Sequence, residues 1–231
     1  MKFIIGKKVE MSQIFLADGT VVPITRISAG PCFVTAKKDE AKDGYNAVQI
    51  AYVEKKKMNK PLAGLFKKIF KKENFGYRFL KEFRLDEKDS AYAQLEPGQK
   101  LDVSIFKVGD SVSVQGNSKG RGFQGVVKRH GFKGGKKSHG HKDQLRMPGS
   151  IGAKGPAHVF KGMRMGGHMG NDLVTVKNLE VVSVDPVKNE ISLKGAVPGA
   201  RHGVLYLIAE GNLEIQKPEP TTEPEKKELT I

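Results

Sequence analysis

One cysteine, Cys32, in 231 residues leaves no partner for an internal disulfide and no thiolate set for a cysteine-based zinc site. It reads as a small buried hydrophobe of a reducing compartment. Long apolar runs are missing too. No window approaches the roughly 20 apolar residues of a membrane-spanning helix. The start, MKFIIGKKVEM, has too short an apolar run for a secretory signal, so a cytoplasmic protein is the expectation. No nucleophile elbow, phosphate loop with Gly-Lys-Ser/Thr or dinucleotide motif between strand and helix occurs. Gly120-Arg121-Gly122-Phe123-Gln124-Gly125 fits G-x-G-x-x-G formally, but nothing places it at a helix start in a βαβ unit.

Acids are scarce in one stretch above all. Between Gly116 and Asp172, twelve Lys or Arg face only Asp143 and Asp172. That stretch holds 15 of the 27 glycines and five of the six histidines. It carries +10 of the chain's formal +15, in 57 of 231 residues. A pI near 9.7 with so local a charge points to a polyanionic partner, with nucleic acid first and an anionic membrane surface second. No basic helix spans the charged region, which weighs against the membrane.

On either side of this stretch the chain reads as β-structure. Lys2 to Ile5 is a short apolar run closed by Gly6. Gln13 to Leu16 and Thr20 to Ser28 flank Asp18-Gly19, a favoured two-residue hairpin turn, and Pro23 marks an edge or a bulge. Cys32 to Ala36, Ala47 to Val53, Leu101 to Phe106 and Ser111 to Gln115 are further strands. The pattern stops at Gly116 and resumes with Leu173 to Val184, Glu190 to Lys194 and Val204 to Ala209. These late runs need partners to bury against, and the early strands are the available ones. The expectation is therefore one β-domain, a barrel or sandwich, split in sequence by an insertion.

Within its first part, residues 55–84 form a helical and aromatic insert. Pro61 and the spacing of Leu62, Leu65, Phe66, Ile69 and Phe70 predict a helix, with Lys67, Lys68, Lys71 and Lys72 on its other face. That basic face is either solvated or a further RNA contact. Phe75, Tyr77, Phe79 and Phe83 read as packed core in preference to base-stacking groups. The division is thus 1–115 and 173–210 for the barrel, 116–172 for the insertion, and 211–231 for an acidic, Pro-rich disordered tail.

Glycine lets a backbone press against a ligand, and dispersed Lys and Arg can each meet a phosphate. Candidate RNA-contacting side chains are Lys119, Arg121, Phe123, Lys128, Arg129, His130, Lys133, Lys136, Lys137, His139, His141, Lys142, Arg146, Lys154, His158, Lys161, Arg164 and His168. Close backbone approach is expected at Gly120, Gly122, Gly125, Gly149 and Gly152. Phe132, Phe160 and the methionines Met147, Met163, Met165 and Met169 could wedge into crevices. His139-Gly140-His141-Lys142-Asp143 has the look of a metal-ligand run. Lys136, Lys137 and Lys142 would repel a divalent cation, and the carboxylates needed for hydrolysis are lacking. No metal or cofactor is expected. An RNA-processing enzyme using this His-rich segment is the alternative reading, and a linker the bland one.

Several blocks resemble the ribosomal protein L3 family of the large subunit (uL3), in its bacterial or organellar form. They include Gly116-Asn117-Ser118-Lys119-Gly120-Arg121-Gly122-Phe123-Gln124-Gly125 leading to Lys128-Arg129, Pro148-Gly149-Ser150-Ile151-Gly152, Val159-Phe160-Lys161-Gly162 and Met165-Gly166-Gly167-His168-Met169-Gly170. The opening from Ile5 to Phe15 and the late block Gly195-Ala196-Val197-Pro198-Gly199 are similar as well, so the resemblance covers about residues 1–209. It implies a six-stranded translation-protein-like β-barrel with an irregular basic extension running into 23S rRNA toward the peptidyl-transferase centre. It also implies binding near the 3′ end of that rRNA, a nucleating role in subunit assembly, and neighbours such as L14 and L19. The function implied is structural and not enzymatic, in the cytoplasmic ribosome. Ser113 stands where the signature usually has Asp or Asn. Ala153 stands where some bacterial members carry a methylated glutamine, so that modification is not expected. With no tryptophan in the chain, the tryptophan fingertip of eukaryotic relatives is absent.

Overall fold

The computed structural model of the chain describes residues 1–71, 75–85, 92, 95–211 and 213. Its strands, in chain order, are β1 (Lys2–Phe15), β2 (Val21–Ala29), β3 (Cys32–Lys38), β4 (Ala47–Lys55), β5 (Gly76–Arg84), β6 (Lys100–Leu101), β7 (Ser111–Asn117), β8 (Phe123–Gln124), β9 (Gly167–His168), β10 (Leu173–Asp185), β11 (Glu190–Lys194) and β12 (Val204–Ala209). Its helices are α1 (Glu40–Asp43), α2 (Lys60–Phe70) and α3 (Val126–His130).

The runs before and after the glycine-rich stretch do pair with each other. They close an antiparallel six-stranded barrel in the order β1-β12-β7-β10-β11-β2. β7 makes the seam, meeting β12 through Val114↔Leu207 and β10 through Val114↔Val176. Val112, Val114, Val181, Ile191, Leu193, Leu205 and Leu207 fill the interior. Full burial of a Val or Leu side chain contributes about 1.5–3 kcal/mol, so this set outweighs any single polar contact in the fold.

The strands at β3 and β4 form as expected, but not in the barrel. With β5 and β6 they make a second sheet in the order β5-β4-β3-β6. Its place explains the start of the chain. Phe3, Ile4 and Ile5 are all 0% exposed, which a strand with one solvated face does not allow. β1 is covered on both sides. Phe3 stacks on Phe83 of β5 with ring centroids 4.7 Å apart, and the barrel and second-sheet residues form one continuous core.

α2 covers part of the second sheet. Phe66 is fully buried against Ala51 and Tyr77, with Phe33, Phe70, Phe75 and Leu80 around it. Pro61 occupies the first turn, as the sequence predicts, and Lys71 takes the left-handed conformation at the C-cap. Lys67, Lys68 and Lys71 are exposed, while Lys72 lies outside the described residues. The aromatic run at 75–83 is core, but it is carried by a strand, β5.

Three local expectations are corrected. The apolar run at Lys2 and the run at Gln13 belong to one strand, bulged between Lys8 and Glu10. Gly6 does not end it. A Cβ there would stand 2.8 Å from Ile27 Cγ2, so glycine permits the close crossing of β1 and β2. Asp18-Gly19 closes the hairpin within a longer loop. Leu16 N–H donates to Thr20 O at 3.0 Å and Gly19 takes a positive φ of 80°. Finally, of Leu101 to Phe106 only Leu101 lies in a strand, at the end of the two-residue β6. Val103, Ile105 and Phe106 are all buried, and a 3-10 turn over Val103–Ile105 packs them into the core in a way alternation cannot. Pro23 meets its expectation: it pairs with Gln13 just past Ile24↔Lys194, the last β2–β11 pair, so no ladder donor is lost.

Leu213 is 1% exposed in the core. Of the tail expected at 211–231, only Gly211 and Leu213 are among the described residues. No described helix is long and apolar enough to cross a membrane.

Candidate nucleic-acid interface

The glycine-rich stretch leaves the barrel between two neighbouring strands, β7 and β10. Their ladder continues outward. Asn117 pairs with Leu173, and Ser118 N–H donates to Asp172 O at 2.9 Å. Arg121 N–H donates to Met169 O at 2.8 Å, and Met169 N–H to Gly122 O at 3.0 Å. β8 and β9 then pair through Phe123↔His168 and Gln124↔Gly167. The extension therefore begins as a two-stranded stalk. Glycines make it narrow: a Cβ on Gly170, at φ 77°, would collide with the Lys119 carbonyl.

α3 closes the stalk. Val126 is 3% exposed and, with Gly116, is one of the two buried residues of the stretch. Arg129 Nη1 donates to Met165 O at 2.9 Å, and His130 Nε2 lies 3.0 Å from the same oxygen. Gly131, at φ 71°, ends α3 by donating to Val126 O and Val127 O.

Beyond α3 the chain is irregular and exposed. Gly135 N–H donates to Leu145 O at 2.9 Å and folds the segment back on itself. His130, Lys133, His141 and Arg164 line an open cleft here, with Phe132 and Met147 as its apolar wall. Lys136, Lys137, His139, Lys142, Arg146, Lys154, His158 and Lys161 are all exposed. His158 packs edge-on to the Phe160 ring, with centroids 5.5 Å apart. His139, His141 and Asp143 do not come together as a three-ligand group, and no such group occurs among the described residues.

Charge pairing separates the barrel from the extension. Several barrel and second-sheet cations have acid partners: Lys2 with Asp110 at 2.7 Å, Arg26 with Glu190 at 2.6 Å, Lys38 with Glu82 at 3.3 Å. Among the described residues, no carboxylate is paired with any of the twelve Lys and Arg between 116 and 172.

Of the sequence-predicted residues, Lys119 and Arg121 meet at the stalk's root, and Lys128, Arg129 and His130 on α3. Phe123 is 80% exposed beside them. Gly120, Gly122 and Gly125 lie in the stalk and at the N-cap of α3, while Gly149 and Gly152 lie in the exposed outer segment. Sequence reasoning missed Lys8. It is 8% exposed and lines the root cleft with Lys119 and Arg121. Burial first, and then the nearby Lys119 ammonium, lowers the Lys8 ammonium below its ordinary value. No local signal marks it. Lys8 reaches the site because Lys7 pairs with Val204 while Leu205 pairs with Gly116. Cys32 stays out of the chemistry: it is fully buried, and burial pushes its thiol up to about 12.

A closed antiparallel barrel from which two adjacent strands project an acid-poor, glycine-rich extension defines a barrel protein with a strongly cationic projection. Comparison with known proteins places it further. The family described as ribosomal protein L3 matches residues 84–192. The chain is 50% identical over 211 residues to the large ribosomal subunit protein uL3 of Carboxydothermus hydrogenoformans, covering 90% of this chain and 97% of that one. It is 48% identical over 208 residues to uL3 of Thermosipho melanesiensis, with 90% and 97% covered. Against uL3 of Desulfitobacterium hafniense the identity is 48% over 208 residues, with 89% and 94% covered. The chain belongs to the ribosomal protein L3 family.

Proposed function

We propose that the chain is a structural constituent of the large ribosomal subunit that binds 23S rRNA directly through residues 116–172. The observation that carries this is the set of twelve cations with no ion-paired carboxylate among the described residues, on an extension whose root continues the β7–β10 ladder. Its mechanism is charge neutralisation and shape, not catalysis. The paired stalk sets direction, exposed Lys and Arg meet phosphates, and glycine-rich backbone packs where side chains cannot. Binding near the 3′ end of the rRNA, nucleation of assembly, a tip directed toward the peptidyl-transferase centre and contacts with L14 and L19 extend the same reading. So does a cytoplasmic location. The family to which the chain belongs supports these extensions.

The test is binding of the purified chain to 23S rRNA across a salt series. If about ten phosphates are met, affinity falls about 10³–10⁵-fold between 50 and 200 mM salt. Replacing Arg121, Lys128 and Arg164 together with alanine should weaken binding and reduce co-sedimentation with the large subunit. Salt-independent affinity, or full incorporation of the triple variant, overturns the reading.

A further inference from the structure

Three cations converge where the extension leaves the barrel, and Lys8 is the unusual one. It is more than nine-tenths buried, yet no carboxylate pairs with it among the described residues. Its Nζ donates to Val197 O at 2.9 Å and Gly199 O at 3.3 Å. An ammonium has three donors, and these carbonyls take two of them. A buried charge without a counter-ion is costly, and such groups are normally paired. Lys119 and Arg121 line the same cleft, exposed and unpaired. Asp172 also lines it, but its carboxylate forms no ion pair with any of the three. Ser118 adds a hydroxyl, although that oxygen already accepts from Asp172 N–H at 3.2 Å. The excess is two positive charges around a space of about 490 Å³, ample for a tetrahedral oxyanion. Lys119 also depresses the Lys8 ammonium, so the free chain holds two like charges in mutual repulsion that an anion would relieve.

We propose that this cleft is a phosphate-binding site, with Lys8, Lys119 and Arg121 as its donors, and that it seats one backbone phosphodiester of the RNA at the root of the extension. The proposal rests on the rRNA-binding reading above and adds a fixed point to it. The outer cations sit on irregular chain and can adapt. Lys8 sits on a barrel strand and is tied to the 197–199 turn, so the phosphate it holds would set the angle at which the extension enters the RNA.

Two measurements on the full chain test it, with Lys8→Met, Lys119→Met and Lys100→Met as variants. Lys100 pairs with Asp102 far from the cleft and serves as control. Inorganic phosphate, followed by backbone amide shifts in NMR, should give saturable shifts at 118–121, 170–172 and 197–199. These should weaken at least about fivefold in Lys119→Met, the loss expected when roughly one charge-assisted bond goes. In rRNA binding, the slope of log affinity on log salt should fall by roughly 0.7–0.9 in Lys8→Met and in Lys119→Met, one phosphate contact each. It should stay unchanged in Lys100→Met. Lys8→Met also removes the tie to the turn, but the Lys119 side chain makes no hydrogen bond among the described residues, so its variant keeps the test independent of folding. Phosphate shifts with unchanged slopes mean a free-anion site and overturn the assignment to RNA. Absence of both overturns the site altogether. A wild-type chain whose rRNA affinity is insensitive to salt is a different result: it sinks the proposed function, and the phosphodiester assignment with it.

Discussion

Arg129 crosses the closed end of the stalk to the Met165 carbonyl, its Nη1 donating at 2.9 Å. The guanidinium lies against Gly167, where an added Cβ would stand 2.6 Å from Nη1. A side chain that the sequence assigns to RNA is thus committed in part to bracing its own chain. Of its five N–H donors this brace uses one, so contact with a phosphate remains open to the others.

Gly167→Ala should therefore break the brace without touching the barrel. Loss of one such hydrogen bond is worth about 1 kcal/mol. Hydrogen exchange should quicken about fivefold at amides of 123–131 and 165–169, and stay unchanged in β7, β11 and β12. Arg129→Ala should give the same pattern. If exchange at the stalk is unaltered in both, the contact does not hold it closed.

At the opposite end of the barrel, Lys2 Nζ meets Asp110 Oδ2 at 2.7 Å and ties the first strand to the turn before β7. Burial alone would raise the Asp110 carboxyl. The Lys107 N–H, at 2.9 Å, and the Lys2 ammonium outweigh it and hold the group below its ordinary value of 3.8. A carboxyl depressed by folding stabilises the fold while ionised. Its contribution is complete above the unfolded value and is lost as pH falls through the folded one. Asp110→Asn should therefore lower unfolding free energy by about 1–3 kcal/mol at neutral pH. In urea titrations the gap to wild type should close as pH drops below 3.8. A gap of constant size down to pH 2 would show that the charge is not its source.

Much of this architecture was legible in the sequence because it is local. Pro61 with its apolar spacing gave α2, and the return of alternation at Leu173 gave the far side of the barrel. The break at Gly116 was visible because twelve cations and fifteen glycines cannot build a core. What stayed hidden depends on pairing between distant residues. Cys32 to Lys38 and Val21 to Ala29 look alike as strands, yet one joins a second sheet and the other the barrel. The clue was Phe3-Ile4-Ile5, an apolar run without alternation, which requires cover on both faces. Tyr77, Phe79 and Phe83 sit at even intervals, the period of the strand that carries them. Lys8 carries no local signal, since it is β12, beginning only at Val204, together with β7 that brings it to Lys119.

Phe123 separates stacking from charge. It is 80% exposed on β8, beside Arg121 and opposite His168, and a Cβ on Gly166 would lie 3.3 Å from its ring. Nothing in the fold needs that ring: exposed aromatic area of this size lowers solubility without adding to the core. Under the proposed rRNA binding, a base face is the partner this ring would stack on. Phe123→Ala should leave thermal stability unchanged while weakening rRNA binding by about 1–3 kcal/mol, or roughly 5- to 150-fold. The salt slope should stay the same, because no phosphate contact is lost. Phe123→Tyr should restore most of the affinity, since a ring still stacks. If the alanine variant binds as tightly as wild type, the ring faces solvent or protein in the assembled particle; if it loses stability instead, the ring is structural.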